Sequence, residues 1–131
     1  MSTLFQTDEQ RVQLYLAENA GWMKILIAQK DEIPELKKML PTEKIVKNEE
    51  RINVEKGLFT IELTKQQEEM TKLNTELDQQ QQRLKNDTAK NYLYDIDSLC
   101  SQDILRDRIK EIEKKYIELK CSFMKFLATI I

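Results

Sequence analysis

The stretch that decides the fold is residues 59–84, FTIELTKQQEEMTKLNTELDQQQQRL. Phe59, Gln66, Leu73 and Gln80 recur along it every seven residues. A companion row with the same spacing begins four residues later and consists of Leu63, Met70, Leu77 and Leu84. Two such rows form one stripe along a helix, which is the heptad pattern of coiled coils. The sequence therefore predicts a long helix that packs against another helix along this stripe, the central seam.

Two members of the central seam, Gln66 and Gln80, are polar. A polar side chain buried in a helical seam costs stability and tends to fix the register or the oligomeric state. One hypothesis is therefore that these glutamines specify a particular partner. The other is that they lie on a partly hydrated rim of a loosely paired helix.

A second heptad pattern, the C-terminal seam, predicts another long helix. Its members alternate at spacings of three and four residues and are Ile109, Ile112, Tyr116, Leu119, Phe123, Phe126 and Ile130. Periodicity leaves open whether the two seams meet each other in an antiparallel hairpin or meet other chains. Residues 86–88 and 97–103 are candidate breaks between the helices, because their Asn, Asp and Ser side chains compete with the helical backbone. A change of phase in the apolar stripe favours a break near residues 97–102.

The N-terminal part of the sequence predicts a separate helix. Thr7 followed by Gln10 is a capping-box pattern, which indicates a helix start. A stripe at spacings of three and four then runs over residues 12–33 and is apolar except at Asn19 and Lys30. Pro34 and Pro41 disfavour helical dihedral angles in the residues that precede them, so both positions are expected to be corners. Thr42 provides a hydroxyl that could cap the next helix.

Composition excludes a β-rich fold. The chain has two glycines, two prolines and 34% charged residues, and neither Gly nor Pro occurs after Gly57. Strands joined by tight turns need such residues. We therefore expect an all-α fold in which long helices form a coiled-coil or antiparallel helix-hairpin bundle. Residues 1–41 would be a shorter N-terminal helix with a Pro-bracketed corner, and residues 42–131 the long helical body.

The side chains that most enzymes and metal sites need are scarce. The chain has no histidine, which is the commonest general base and metal ligand. Two glycines cannot form a glycine-rich phosphate loop, and two isolated cysteines cannot complete a zinc site. The net charge is −2 and no segment carries a basic face, which argues against nucleic-acid binding. We expect no catalytic residue, metal, cofactor or small-molecule substrate.

The compartment expected from the sequence is intracellular: cytoplasm, cytoskeleton or nucleus. No run of 18 or more apolar residues is present, and residues 1–8 lack the profile of a signal peptide. Cys100 and Cys121 are then expected to be reduced thiols.

The expected function is a non-catalytic interaction module, a coiled-coil subunit or adaptor of a cytoskeletal, centrosomal, ciliary or kinetochore-type assembly. Its partners would be other helical proteins or further copies of itself. The expected contact residues are Leu63, Met70, Leu73, Leu77 and Leu84, all seven members of the C-terminal seam, and Trp22, although a lone Trp on an apolar helix is more often a core residue. The alternative is a vesicle-tethering or peripheral membrane adaptor that uses the apolar end SFMKFLATII, although membrane contact is not expected.

Overall fold

Three α-helices make up the part of the chain that the structure describes. The structure is a computed structural model that describes the backbone of residues 2–41, 49–89 and 96–130 and the side chains of residues 9–41, 50–86 and 100–130. The helices are α1 (Ser2–Lys38), α2 (Glu49–Ala89) and α3 (Ile96–Ile130). No strand occurs within these ranges, and the predicted all-α fold is confirmed.

α1 and α2 run in opposite directions. Asn19, in the first half of α1, hydrogen-bonds to Gln81 in the second half of α2. Lys37, at the end of α1, donates to the hydroxyl of Thr64 in the first half of α2. Such contacts between late and early residues require an antiparallel pair.

α2 and α3 form a second antiparallel pair. Gln80 contacts Gln102 near the start of α3, whereas Gln66 contacts the carbonyl of Ile112 further along it. The two seams that the sequence shows therefore face each other within one chain. Of the two arrangements that periodicity left open, the structure shows the antiparallel hairpin, with α1 packed against it as a third helix.

Apolar side chains from all three helices fill one core. Burial of each such side chain contributes roughly 1.5–3 kcal/mol, so this core is the main source of stability. Its buried members are Leu26, Ile33, Leu36, Leu63, Met70, Leu73, Leu77, Leu105, Ile109, Ile112, Tyr116, Phe123, Phe126, Leu127 and Ile130. Phe59 closes one end of the bundle, with ring centroids 5.5 Å from Phe123 and 5.1 Å from Phe126.

The predicted corner at Pro34 is wrong, because α1 continues through this residue. Proline in a helix interior removes one backbone hydrogen bond and costs about 3 kcal/mol. Ile33 and Leu36 lie on either side of Pro34 and are both buried in the core, which offsets that cost. The second corner is at the expected place: the last turn tightens through bonds from the Met39 and Leu40 amides to the Leu36 and Lys37 carbonyls, and the helix has ended before Pro41.

The other helix ends also differ from the prediction. Thr7 lies inside α1, since a capping pattern permits a start but does not stop a helix when the preceding residues include no Gly or Pro. With 37 residues against 35 in α3, α1 is a full member of the bundle. The break near residues 97–102 is wrong, because these residues are helical and Gln102 is held in the interior. The predicted start at Thr42 lies outside the described residues, as do residues 90–95 between α2 and α3.

Candidate functional site

Most of the residues expected to bind a partner lie in the core of the chain itself. Trp22 and Leu119 are partly buried against this core. The others are fully buried and are Leu63, Met70, Leu73, Leu77, Leu84, Ile109, Ile112, Tyr116, Phe123, Phe126 and Ile130. A partner could reach most of them only if the helices separated, whereas Leu119 and Phe126 also line an open groove between α2 and α3. Their role in binding another chain stays a prediction.

A buried polar layer crosses the bundle and joins all three helices. The Asn19 amide donates to Oε1 of Gln81 at 3.0 Å and to Oε1 of Gln102 at 3.1 Å. Gln102 donates in return to Oδ1 of Asn19 at 2.8 Å and to Glu18 at 2.9 Å, and it accepts a bond from Gln80 at 3.3 Å. Asn19 and Gln102 have no exposed surface. Because a shift of one helix along another would leave these amides unsatisfied, the layer fixes the register of the bundle.

The layer ends in an ion pair at the surface between α1 and α3. Arg106 donates through Nε to Oε2 of Glu18 at 3.0 Å and through Nη2 to Oε1 at 2.7 Å. Its guanidinium also lies 5.7 Å from the ring centroid of Tyr15. Burial alone would raise the pKa of Glu18, but the hydrogen bonds from Arg106 and Gln102 and the nearby positive charges hold it below its usual value.

The two seam glutamines are both buried, so the hypothesis of a hydrated rim is wrong. Gln80 belongs to the polar layer. Gln66 donates to the backbone carbonyl of Ile112 at 3.0 Å. The partner that these glutamines select is therefore a helix of the same chain.

A second polar link joins α1 to α3 nearer the end of α1. Glu32 accepts a hydrogen bond from the Tyr116 hydroxyl and forms an ion pair with Lys120 at 2.5 Å. These two hydrogen bonds hold the pKa of Glu32 below its usual value. Burial, followed by the bond to Glu32, raises the pKa of Tyr116.

The outer side of the α2–α3 pair carries an open apolar groove, which we call the α2–α3 groove. It has a volume of about 510 Å³. Its apolar lining comes from Leu58 and Phe59 on α2 and from Leu119 and Phe126 on α3. Ser122 lies between Leu119 and Phe126 along α3. Because its side chain is small, it leaves space for the groove beside the core.

The groove continues into a polar stretch of about 310 Å³ along the same two helices. Charged side chains from α2 and α3 line it and are Glu62, Lys65, Glu69, Lys115 and Glu118. The apolar end has its own charged rim, formed by Arg51, Glu55 and Lys125. A long surface that is apolar at one end and charged at the other is suited to a helix with one apolar face rather than to a small molecule.

Sequence reasoning missed the groove, although three of its lining residues, Phe59, Leu119 and Phe126, belong to the seams. The others flank the seams. Leu58 precedes the seam residue Phe59, and Ser122 precedes Phe123. The sequence does show an apolar residue, Leu58, beside the central seam and a small residue, Ser122, beside the C-terminal seam. Periodicity alone cannot show that these two positions face the same gap.

The described residues contain no cluster of three or more Cys, Asp or Glu side chains that could hold a metal ion. Over the same parts of the chain, none of the helices has the length and apolarity that crossing a membrane requires. Cys100 and Cys121 are free thiols at the surface. Phe123 and Phe126, from the apolar stretch considered for membrane contact, pack in the core, and Leu127 does the same.

The chain matches no protein-family model, no curated protein and no solved structure.

Proposed function

We propose that this chain is a non-catalytic interaction module that holds an amphipathic helix of another protein in the α2–α3 groove. It would serve as a coiled-coil subunit or adaptor of a larger intracellular assembly, of the cytoskeletal, centrosomal, ciliary or kinetochore type. The observation that carries the proposal is the open groove, whose apolar lining is left uncovered although the core beneath it is closed.

The groove has the geometry of a site for one more helix. It lies between two antiparallel helices, and a helix laid along it would complete a four-helix arrangement. Helix-in-groove recognition uses apolar anchors spaced three, four and seven residues apart. Leu58 and Leu119, on opposite walls, are the residues that such anchors would contact.

Charges along the groove favour one direction for the bound helix. Lys125 lies at the apolar end, and Glu69 and Glu118 lie at the polar end. None of the three forms an ion pair with another described residue. A helix with acidic residues in its first turns and basic residues in its last turns would match both ends, a distribution that also suits its own dipole. It would run parallel to α2.

The dimensions of the bundle support a spacer role. At 1.5 Å per residue, the 41 residues of α2 span roughly 60 Å. A rod of this length can hold a partner helix and position it relative to other subunits. The two exposed free thiols support a reducing compartment, where such groups persist.

A designed peptide tests the proposal. The probe is a fluorescent helix of about 18 residues with apolar residues at the anchor spacing, acidic residues near its N-terminus and basic residues near its C-terminus. A second peptide with these charges exchanged is the comparison. We expect the first peptide to bind about tenfold more tightly in anisotropy titrations, because its charges match both ends of the groove.

Two neighbouring substitutions on α3 provide the matched pair. Ser122→Glu places a charge in the groove, whereas Cys121→Glu changes an exposed residue that does not line it. We expect Ser122→Glu to weaken peptide binding at least about tenfold and Cys121→Glu to leave it unchanged. Equal binding by the two variants, or no binding of either peptide to the unmodified chain, would contradict the proposal.

A further inference from the structure

A second apolar surface lies on α2 beside the α2–α3 groove and shares Leu58 with it. Val54, Leu58 and Ile61 are 59%, 58% and 51% exposed and follow each other at spacings of four and three residues. Residues at these spacings share one face of a helix. Glu50 and Lys65 lie on the same face at its two ends. This α2 outer face is thus an apolar stripe with one acidic end and one basic end.

Gly57 lies within the α2 outer face. A side chain added at this position would meet no atom of the described residues within 4 Å, so none of these neighbours requires glycine here. Glycine in a helix interior costs about 1 kcal/mol relative to alanine. Because Gly57 has no side chain, the backbone or a side chain of another molecule can approach α2 closely at this position.

The pattern of the α2 outer face is complementary to itself in one antiparallel register. Placing Leu58 of one copy over Gly57 of a second copy puts Val54 opposite Ile61. The same register puts Glu50 opposite Lys65, so each end of the contact pairs unlike charges. Because the arrangement is symmetric about a two-fold axis between Gly57 and Leu58, every contact occurs twice, as in an isologous dimer.

We infer that two copies of this chain associate through the α2 outer face, with their α2 helices antiparallel and crossing at Gly57. Leu58 of each copy would occupy the space above Gly57 of the other. One pair of helices touching over about four turns buries less than the roughly 1,200 Å² at which stable complexes begin. The dimer is therefore weak and reversible, and this inference does not depend on the α2–α3 groove binding a helix.

Sedimentation velocity of the purified chain at low ionic strength tests the dimer. We expect a monomer–dimer equilibrium with a dissociation constant in the high micromolar range. Leu58→Glu should abolish it, whereas Ile104→Glu on α3, at a position that is 59% exposed, should not. A monomer at every concentration up to about 1 mM, or a dimer that survives Leu58→Glu, would overturn the inference.

Charge exchange tests the register itself. The Glu50→Lys variant and the Lys65→Glu variant should each dimerise about tenfold more weakly than the unmodified chain, because each places like charges opposite one another at both ends. An equimolar mixture of the two variants should restore association, since the heterodimer pairs unlike charges again. A mixture that associates no better than its components would contradict the antiparallel register.

The two glycines of the chain allow one more comparison. Gly57→Leu should stabilise the fold and yet weaken the dimer at least about tenfold, because the added side chain occupies the space that Leu58 of the second copy needs. Gly21→Leu, on α1, also adds a side chain in open space and should leave the dimer unchanged. Ser122→Glu should likewise leave it unchanged, which separates this surface from the α2–α3 groove. Equal dimerisation by both glycine variants would overturn the proposed contact.

Discussion

At the scale of single residues, the side chains of the buried polar layer determine how the three helices align with one another. Asn19 is, with Lys30, one of two polar residues in the apolar stripe of α1, and Gln80 interrupts the central seam, so Asn19 and Gln80 were visible in the sequence as exceptions. Gln102 was interpreted as part of a helix break, because nothing in its neighbourhood shows that two other helices offer it partners. Local propensity was overridden here by hydrogen bonds between helices.

Asn19→Ala is expected to destabilise the fold by about 1–3 kcal/mol, since it removes the donor to Gln81 and one partner of Gln102 in the interior. Chemical denaturation measures the loss. Asn53→Ala, at an exposed position on α2, is the matched control and should change stability by less than about 0.5 kcal/mol. A similar small effect for both variants would show that the layer does not stabilise the native register.

The Glu18–Arg106 ion pair is expected to make the stability of the fold partly dependent on pH in the acidic range. Because the pKa of Glu18 is lowered in the folded chain, its ionised form stabilises the fold above its ordinary value of 4.5, and this contribution is lost as pH falls through the lowered value. Glu18→Gln should therefore be less stable than the unmodified chain at pH 7 and should lose less stability between neutral pH and the acidic range below 4.5. Thermal unfolding against pH measures this difference. Arg106→Met should reduce the pH dependence in the same way, and a full pH dependence in both variants would exclude the ion pair as its source.

At the scale of helices, periodicity predicted the two seams and their long helices correctly. The ends of the helices were predicted less well, because capping and proline signals are local, whereas the helix ends depend on burial. Pro34 is the clearest case, since the core contacts of Ile33 and Leu36 keep α1 helical across it.

Pro34→Ala is expected to raise the stability of the fold by about 1–2 kcal/mol, because the recovered backbone hydrogen bond outweighs the greater freedom of the unfolded chain. For a chain of this length the thermal midpoint should rise by roughly 3–8 °C. Pro41→Ala, just after the end of α1, should have little effect. A decrease in stability for Pro34→Ala would contradict this expectation.

At the scale of the whole molecule, the sequence predicted the fold class but not the surface that is left for partners. The central seam and the C-terminal seam were candidates for binding other chains, and the structure closes them on each other with α1 alongside. The surface left on the described residues includes the α2–α3 groove and the α2 outer face. Residues that flank the two seams, such as Leu58 and Ser122, line one surface only if they lie on the same side of the helix pair. The sequence does not show this, because it depends on the register between the helices.

In this structure one chain closes its own core, and the partners that we propose would bind to its outer surfaces. The closure is tested by the thermal midpoint of the Leu58→Glu variant, which removes the weak dimer, measured by circular dichroism from about 1 to 100 µM. We expect the same midpoint at every concentration, because unfolding then involves a single chain. A midpoint that rises by several degrees across this range would contradict it, since the seams would then be shared between chains.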